Sequence, residues 1–446
     1  MSQSAAAPPP PATPAAQPAP APQAPPNAKP KRSWAAPTGK PVGVGVENTP
    51  TLLNRLQVIG MAAVLLFGLA SGLVQFLSYQ SDGRAADDTE QLVRVQEIQS
   101  NLLRVDAIAT NLAVSGGNLD PAEIASRDEE YDQALDDVLG EIASAAEAQP
   151  ADEKALAALN VAVNDYATAI AEARANLRQG YPVGKEYLSG ASANLRADAL
   201  PILTNLVDAN TERAEDSMGG QHPIWLLLIG LASVAVLVWI SILLAGRFRR
   251  YVNVGIAVAM IVVVVTTIVA AIAAWRADSQ NDDLLAGELR MAVDQAAVRT
   301  AGNDAKANES LRLVNRGSGP RYEDPWIAAA EIVEEKGDRI VLDEWRSYAN
   351  AHASIVKYDD EDRRGPAIQI ATGAENAPGG QNSTAAFDAF DGVVKGLVQE
   401  NGATVSEELR AGRSLALVGS LLTVLLGCAS AIAVARGIGA RRKEYA

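Results

Sequence analysis

Four stretches, roughly 56–78, 223–246, 252–275 and 414–435, are apolar and hold no Asp, Glu, Lys, Arg or His. Each is long enough to cross a bilayer as a helix, which takes about 20 residues. The first is expected to be a retained span, because its apolar run is too long for a cleaved leader. Basic residues near spans mark the cytoplasmic side. Lys40 and Arg55 precede the first span, Arg247, Arg249 and Arg250 fill the turn between the second and third, and Arg436, Arg441, Arg442 and Lys443 follow the fourth. With four spans, all three basic sites face one side. Both termini are then cytoplasmic in a multi-pass protein of the bacterial plasma membrane, and the long polar segments lie outside.

The charge distribution agrees. Residues 79–222 carry 26 acidic and 10 basic side chains, and residues 276–413 carry 25 and 16. The remainder is basic. Acidic outer segments repel phosphates, so a nucleic-acid partner is not expected, whereas membrane lipid is. The single cysteine, Cys428, lies within the fourth span, so no disulfide holds the outer segments. Two histidines, His222 and His352, are scant material for a metal site and are expected to be solvated or interfacial. No phosphate-cradling or nucleophile-elbow motif occurs. No enzyme, cofactor or metal is expected.

Charge-free spans weaken a transport reading, because coupled transporters place ionisable groups near the midplane. The spans do carry small residues at four-residue spacing, which lets helices approach closely in lipid. Gly68, Gly72, Gly230, Gly427 and Ala431 are the candidates for helix packing.

The polar segments read as helices, with apolar residues at three- and four-residue steps. Leu92, Val95, Ile98, Leu102, Val105, Ile108 and Leu112 form one stripe. Breaks fall at Gly116-Gly117, with Asp120 placed as a cap, around Pro150 and at 180–184; in the second segment they fall at 317–320, near Gly337 and across 359–366. The pattern predicts an all-α integral membrane protein with four transmembrane helices and two extracytoplasmic antiparallel four-helix bundles from an internal duplication. Its parts are a disordered Pro/Ala-rich cytoplasmic tail (1–53), span 54–78, bundle 79–222, span 223–246, basic turn 247–251, span 252–275, bundle 276–413, span 414–435 and basic tail 436–446. Traces of duplication include "VDAIATN" against "NDAKANES" and "DYATAI" against "SYANAH". Between these anchors the second copy is shorter, so its bundle should be too.

Asp106, Asn111, Asp304 and Asn308 recur at matched height within the helices and are candidate contacts for a ligand or partner, or register-holding hydrogen bonds. Arg299, Arg316 and Arg321 could meet an acidic partner or a ligand carboxylate, or pair within the domain, which is the expected outcome. Arg247, Arg249, Arg250, Arg441 and Arg442 are expected cytoplasmic anchors. Trp326, Trp345, Tyr166 and Tyr348 read as core aromatics.

"NLAVSGGNLDPAEIASRDEEYDQALDDV" and "SLRLVNRGSGPRYEDPW" resemble the first corner of bacterial four-helix-bundle sensory domains of the chemoreceptor and CHASE3 types. With the Pro-rich tail and four spans, the layout is similar to the GlnX-like actinobacterial membrane proteins. That resemblance implies a relay: an extracytoplasmic solute-binding lipoprotein reports amino-acid availability, and the membrane protein informs a cytoplasmic Ser/Thr protein kinase. The alternative is a structural or accessory membrane protein that organises envelope or transporter partners.

Overall fold

The computed structural model describes residues 49–115, 121–248 and 253–444, and all their regular structure is helical. The tail 1–48, the corner with Gly116, Gly117 and Asp120, and Arg249 and Arg250 lie outside the described residues, as do the side chains of Arg247, Arg441 and Arg442.

Helix α1 (Thr49–Ser115) runs 67 residues without a break, about 100 Å at 1.5 Å per residue. It is followed by α2 (Pro121–Ala148), α3 (Glu153–Arg178), α4 (Val183–Asn194), a π turn at Leu195–Ala199, and α5 (Leu200–Met218). These form a first polar module. The hinge is chemically legible at Gln149–Asp152, where Pro150 ends the α2 register, and at Gly180, whose φ of +74° suits a residue without a Cβ. Helix α6 (Pro223–Phe248) leads to α7 (Val254–Leu284), whose N-cap Asn253 accepts a bond from the Gly255 amide. A second π turn (Leu285–Leu289) joins α7 to α8 (Arg290–Val314). Then come α9 (Gly319–Lys336), α10 (Arg339–Asp360), the short α11 (Arg364–Thr372) and the 62-residue α12 (Ser383–Glu444).

Four helical runs, Thr51–Ser115, Val183–Gly246, Val254–Val314 and Pro378–Ala440, each contain a segment long and apolar enough to cross a membrane. Around those segments Leu66, Leu231, Ile261 and Leu425 point outward, each at least 60 % exposed. A continuous apolar belt of this kind needs a covering, and lipid supplies one. Trp225 and Trp275 stand exposed at the end nearest the polar modules, the position aromatic belts take at a bilayer interface.

Close helix approach in this region depends on glycine. A methyl built on Gly68 would lie 3.0 Å from the Gly427 Cα, and one on Gly427 would lie 2.7 Å from the Gly68 Cα. One turn along, the Ser420 hydroxyl donates to the Gly72 carbonyl at 2.8 Å. Gly230 meets the Thr267 side chain, and Ala431 is buried among Val64, Ile240 and Val434.

The first module is built on the predicted stripe. Leu92, Val95, Ile98, Leu102 and Val105 are buried, and Ile108 and Leu112 are half-buried. Its core does not stop at the module boundary. Leu313, Val314, Ile355 and Ile370 of the second module pack into the same cluster. Near the spans, Ala85, Leu92 and Met218 pack with Leu289, Val405 and Leu409. The second module keeps an aromatic core of its own, Trp345, Tyr348, Phe387 and Phe390, each worth about 1.5–3 kcal/mol on burial. Helices α9 and α10 have 18 and 22 residues against 28 and 26 in α2 and α3.

Candidate functional site: a polar junction between two helical modules

Asp106 is fully buried on α1. It accepts hydrogen bonds from the Tyr166 hydroxyl at 3.2 Å, the Ser192 hydroxyl at 2.6 Å and Arg196 Nη1 at 2.8 Å. Three donors from α3, α4 and the π turn thus replace the water that burial removes. The Arg196 guanidinium also donates through Nε to Asp304 Oδ1 at 2.8 Å on α8, with Nη2 2.6 Å from the same oxygen. One arginine therefore binds Asp106 and Asp304 together. Burial works to lower its pKa, but the two carboxylates outweigh it and hold the proton more firmly than usual. Asn308 donates to Asp304 at 3.2 Å. Burial, with the Asp106 charge, pushes the Tyr166 phenol well up, keeping it a neutral donor.

Two further links flank this one. Asn111 donates to the Ala371 carbonyl at 3.0 Å and accepts from Arg127 at 2.9 Å, while Arg127 donates to the Thr372 carbonyl at 2.9 Å. The end of α1 is thereby bonded to α11. Arg104 reaches Asp388 at 3.1 Å and Asp391 at 3.5 Å on α12. Asp391 accepts from Arg299 at 2.8 Å and Asn303 at 3.0 Å. Its burial favours the neutral acid, but Arg299 and Arg104 overcome this and lower its pKa. A cleft beside Arg104, Arg127 and Lys306 offers about 40 Å³, room for a few waters.

The second module also buries an ionic cluster. Lys306 Nζ donates to Glu309 at 2.8 Å and to Ser383 at 2.9 Å, and Ser383 donates to Glu309 at 2.6 Å. His352 Nδ1 lies 3.0 Å from Glu309, and its Nε2 lies 3.4 Å from Glu323. Trp326 stacks on the imidazole at 3.9 Å. Burial alone would raise the Glu309 pKa, yet Lys306 and His352 bring it down to about 2. Burial likewise lowers the His352 pKa, and its bonds to Glu309 and Glu323 reverse that to a net rise. His352 is thus buried and paired, not solvated or interfacial as expected from sequence. No group of three or more His, Cys, Asp or Glu suited to hold a metal occurs among the described residues.

At the end remote from the spans, cations gather. Asn315, after α8, donates to Ser189 of α4 at 2.8 Å, and Arg364 of α11 bonds to the Leu313 carbonyl. These bonds bring Lys185, one turn before Ser189, into the same corner as Arg364 and the exposed Arg316. Lys185 has its pKa lowered by burial and then by the Arg364 and Arg316 charges. Neither Lys185 nor Arg316 forms an ion pair among the described residues.

Of the candidate contacts, the structure joins Asp106, Asp304 and Asn308 in one network, places Asn111 in the link to α11, Arg299 in the Asp391 group, and leaves Arg316 at the cationic corner. Sequence reading missed Arg196, Lys306, Glu309 and Ser383. Lys306 and Glu309 at i, i+3 carried a local signal; Arg196 carried none.

With this geometry in view, residues 81–219 match the family described as the actinobacterial sensor domain. No curated protein and no solved structure matches the chain. The matched segment is the first polar module, from Ser81 in α1 to the end of α5. Residues 81–219 are thus similar to an actinobacterial sensor domain, in a chain with four helices long and apolar enough to span a membrane.

Proposed function

We propose that the chain is a transmembrane relay without catalytic activity of its own. In this reading the two polar modules are extracytoplasmic four-helix bundles derived by duplication, both termini are cytoplasmic, and the membrane is the bacterial plasma membrane. The relay is GlnX-like: a solute-binding lipoprotein carries amino-acid availability to the outer modules, and a cytoplasmic partner such as a Ser/Thr protein kinase receives the signal. The observation that carries the reading is continuity. α1 and α12 pass unbroken from the apolar belt into the modules, one of which matches a sensor domain. A shift in the Arg196 bridge would therefore move helices that enter the membrane. The cationic corner of Lys185, Arg316 and Arg364, set in an acidic outer region, gives an acidic lipoprotein surface a complementary face.

Crosslinking in living cells tests this, with mass spectrometry of what is captured by the full chain and by a version lacking residues 1–50. The expected result is an outer solute-binding lipoprotein with both versions and a cytoplasmic kinase with the full chain alone. Capture of transporter subunits or cell-wall enzymes, with no signalling protein, would replace the relay by a structural or accessory role.

A further inference from the structure

On the outer face of the first module, α3 and the α4–π–α5 run part to leave a groove of about 330 Å³, at the lower end of the range for small-molecule sites. Its cause is in the sequence. Ala162 and Ala169 on α3 oppose Ala191 on α4, and such small side chains leave the gap between two helices unfilled. The π turn adds its extra residue at the same height, an insertion found often at functional sites. Val161, Ala162, Ala169 and Ile202 give the groove apolar walls, with the buried Leu195 and Tyr166 at its base.

The rim is selective in charge. Asp165, Asp198 and Asn194 border the groove, and no basic residue does. None of the three side chains has a hydrogen bond or ion pair among the described residues. By contrast, the buried or half-buried Asp106, Asp152 and Asp128 of this module are engaged, by Arg196, by Arg213, and by Arg174 with Arg178. Two unpaired carboxylates above an apolar floor repel an anion and favour a cation with a hydrophobic body.

We propose that this groove binds a small organic ammonium ion, its apolar body against Leu195 and Tyr166 and its charge between Asp165 and Asp198. The absence of any basic lining residue sets a monoamine apart from a free amino acid, whose carboxylate would go unpaired here. The groove is one side chain from the junction. Leu195 and Asp198 flank Arg196 in the same π turn, and Tyr166, the floor, donates to Asp106. Occupancy tightens the π turn and so holds Arg196 on Asp304. This coupling rests on the relay reading; the binding does not.

The test uses the full chain in lipid nanodiscs and three isosteric probes: benzylamine, benzyl alcohol and benzoate. Binding is followed by ligand-observed NMR, and hydrogen exchange is followed over residues 191–202. Benzylamine is expected to bind saturably, about tenfold or more tighter than benzyl alcohol, and to slow exchange at the π turn. The double variant Asp165→Asn/Asp198→Asn is expected to lose that preference, and Val161→Trp, which fills the groove from an exposed position, to lose binding altogether. Equal binding of amine and alcohol, or an amine signal unchanged in both variants, overturns the proposal. So does a groove that ignores all three probes. Because the chain is tested alone, failure of the partner-capture experiment leaves this result standing, and the reverse.

Discussion

Between Leu92 and Val105 the buried face of α1 is six aliphatic side chains with only Gln96 and Ser100 among them, whereas α8 between Arg299 and Arg312 buries Arg299, Asn303, Lys306, Glu309 and Arg312. Both helices lie inside a bundle of helices, and both are continuous with an apolar span. The first reaches stability by removing apolar surface from water, and any aliphatic side chain of similar volume would serve. The second depends on particular pairs: Arg299 with Asp391, Lys306 with Glu309, and Arg312 with Glu323 and Asp359. Buried pairs add little net stability over an apolar replacement, but losing one member strands the other. The second module is thus the one whose interior dictates which side chains must meet.

Breaking one member of the cluster should give the largest effect. Glu309→Ala leaves Lys306 and His352 buried without their carboxylate and should cost about 3–5 kcal/mol. Two of the six tryptophans, Trp326 and Trp345, sit in the second module, the other four lie in the tail or the apolar spans, and residues 79–222 contain none. Chemical denaturation followed by tryptophan emission reads the loss. The contrast sharpens with Lys306→Met/Glu309→Leu, which removes both charges and should recover most of the stability. A loss under about 1 kcal/mol for Glu309→Ala would show that the pair does not organise the module.

In the first module the nearest counterpart is Asp106→Asn. It weakens three hydrogen bonds to a charged acceptor but leaves Arg196 its second carboxylate, so the expected loss is smaller, about 1.5–3 kcal/mol. Hydrogen exchange along α3 measures it, because Tyr166 then loses its anionic acceptor.

The two modules should also part in their pH response. His352 has a raised pKa, so its contribution is complete below its unfolded value and fades as pH rises through the folded one. Glu309, at about 2 when folded, contributes above its ordinary value and loses that as pH falls toward 2. The second module should be most stable between the ordinary glutamate and histidine values, roughly pH 4.5–6.5. His352→Gln should flatten the alkaline side of that profile. An alkaline slope that survives the substitution would place the titrating group elsewhere.

Much of this architecture was legible beforehand, and unevenly so. The spans, the α1 stripe and the turns at Pro150, 180–184 and Gly337 follow from hydropathy and backbone rules that act locally. The glycines facing each other at Gly68 and Gly427 were readable as a spacing, though not as a pairing. The interior of α8 was not readable: "NDAKANES" is polar on every side, a pattern that describes a solvated helix. It is buried because its partners, Asp391, His352 and Ser383, arrive from helices 43 to 88 residues away in sequence. Asp106 and Asp304 stood out by register, but the arginine that joins them lies in a π turn that no periodicity announces.

That arginine sets the smallest expected effect and the most informative one for the comparison, since it is where the two interiors meet. The Arg196 side chain is 25 % exposed and Asp304 27 %, so water screens the bridge and its coupling should be only about 0.5–1 kcal/mol. A double-mutant cycle of Arg196→Gln and Asp304→Asn isolates the pair, with hydrogen exchange at the π turn and in α8 as the readout. Zero coupling would mean that the shared apolar cluster, not the bridge, joins the modules. Coupling of the expected size has a further consequence. A junction worth less than 1 kcal/mol is one that modest binding energy can make or break, whereas Lys306–Glu309–His352 is too costly to open in normal use. The first module, with its open groove and screened bridge, is then the more easily rearranged of the two, and the second is held by its buried charges.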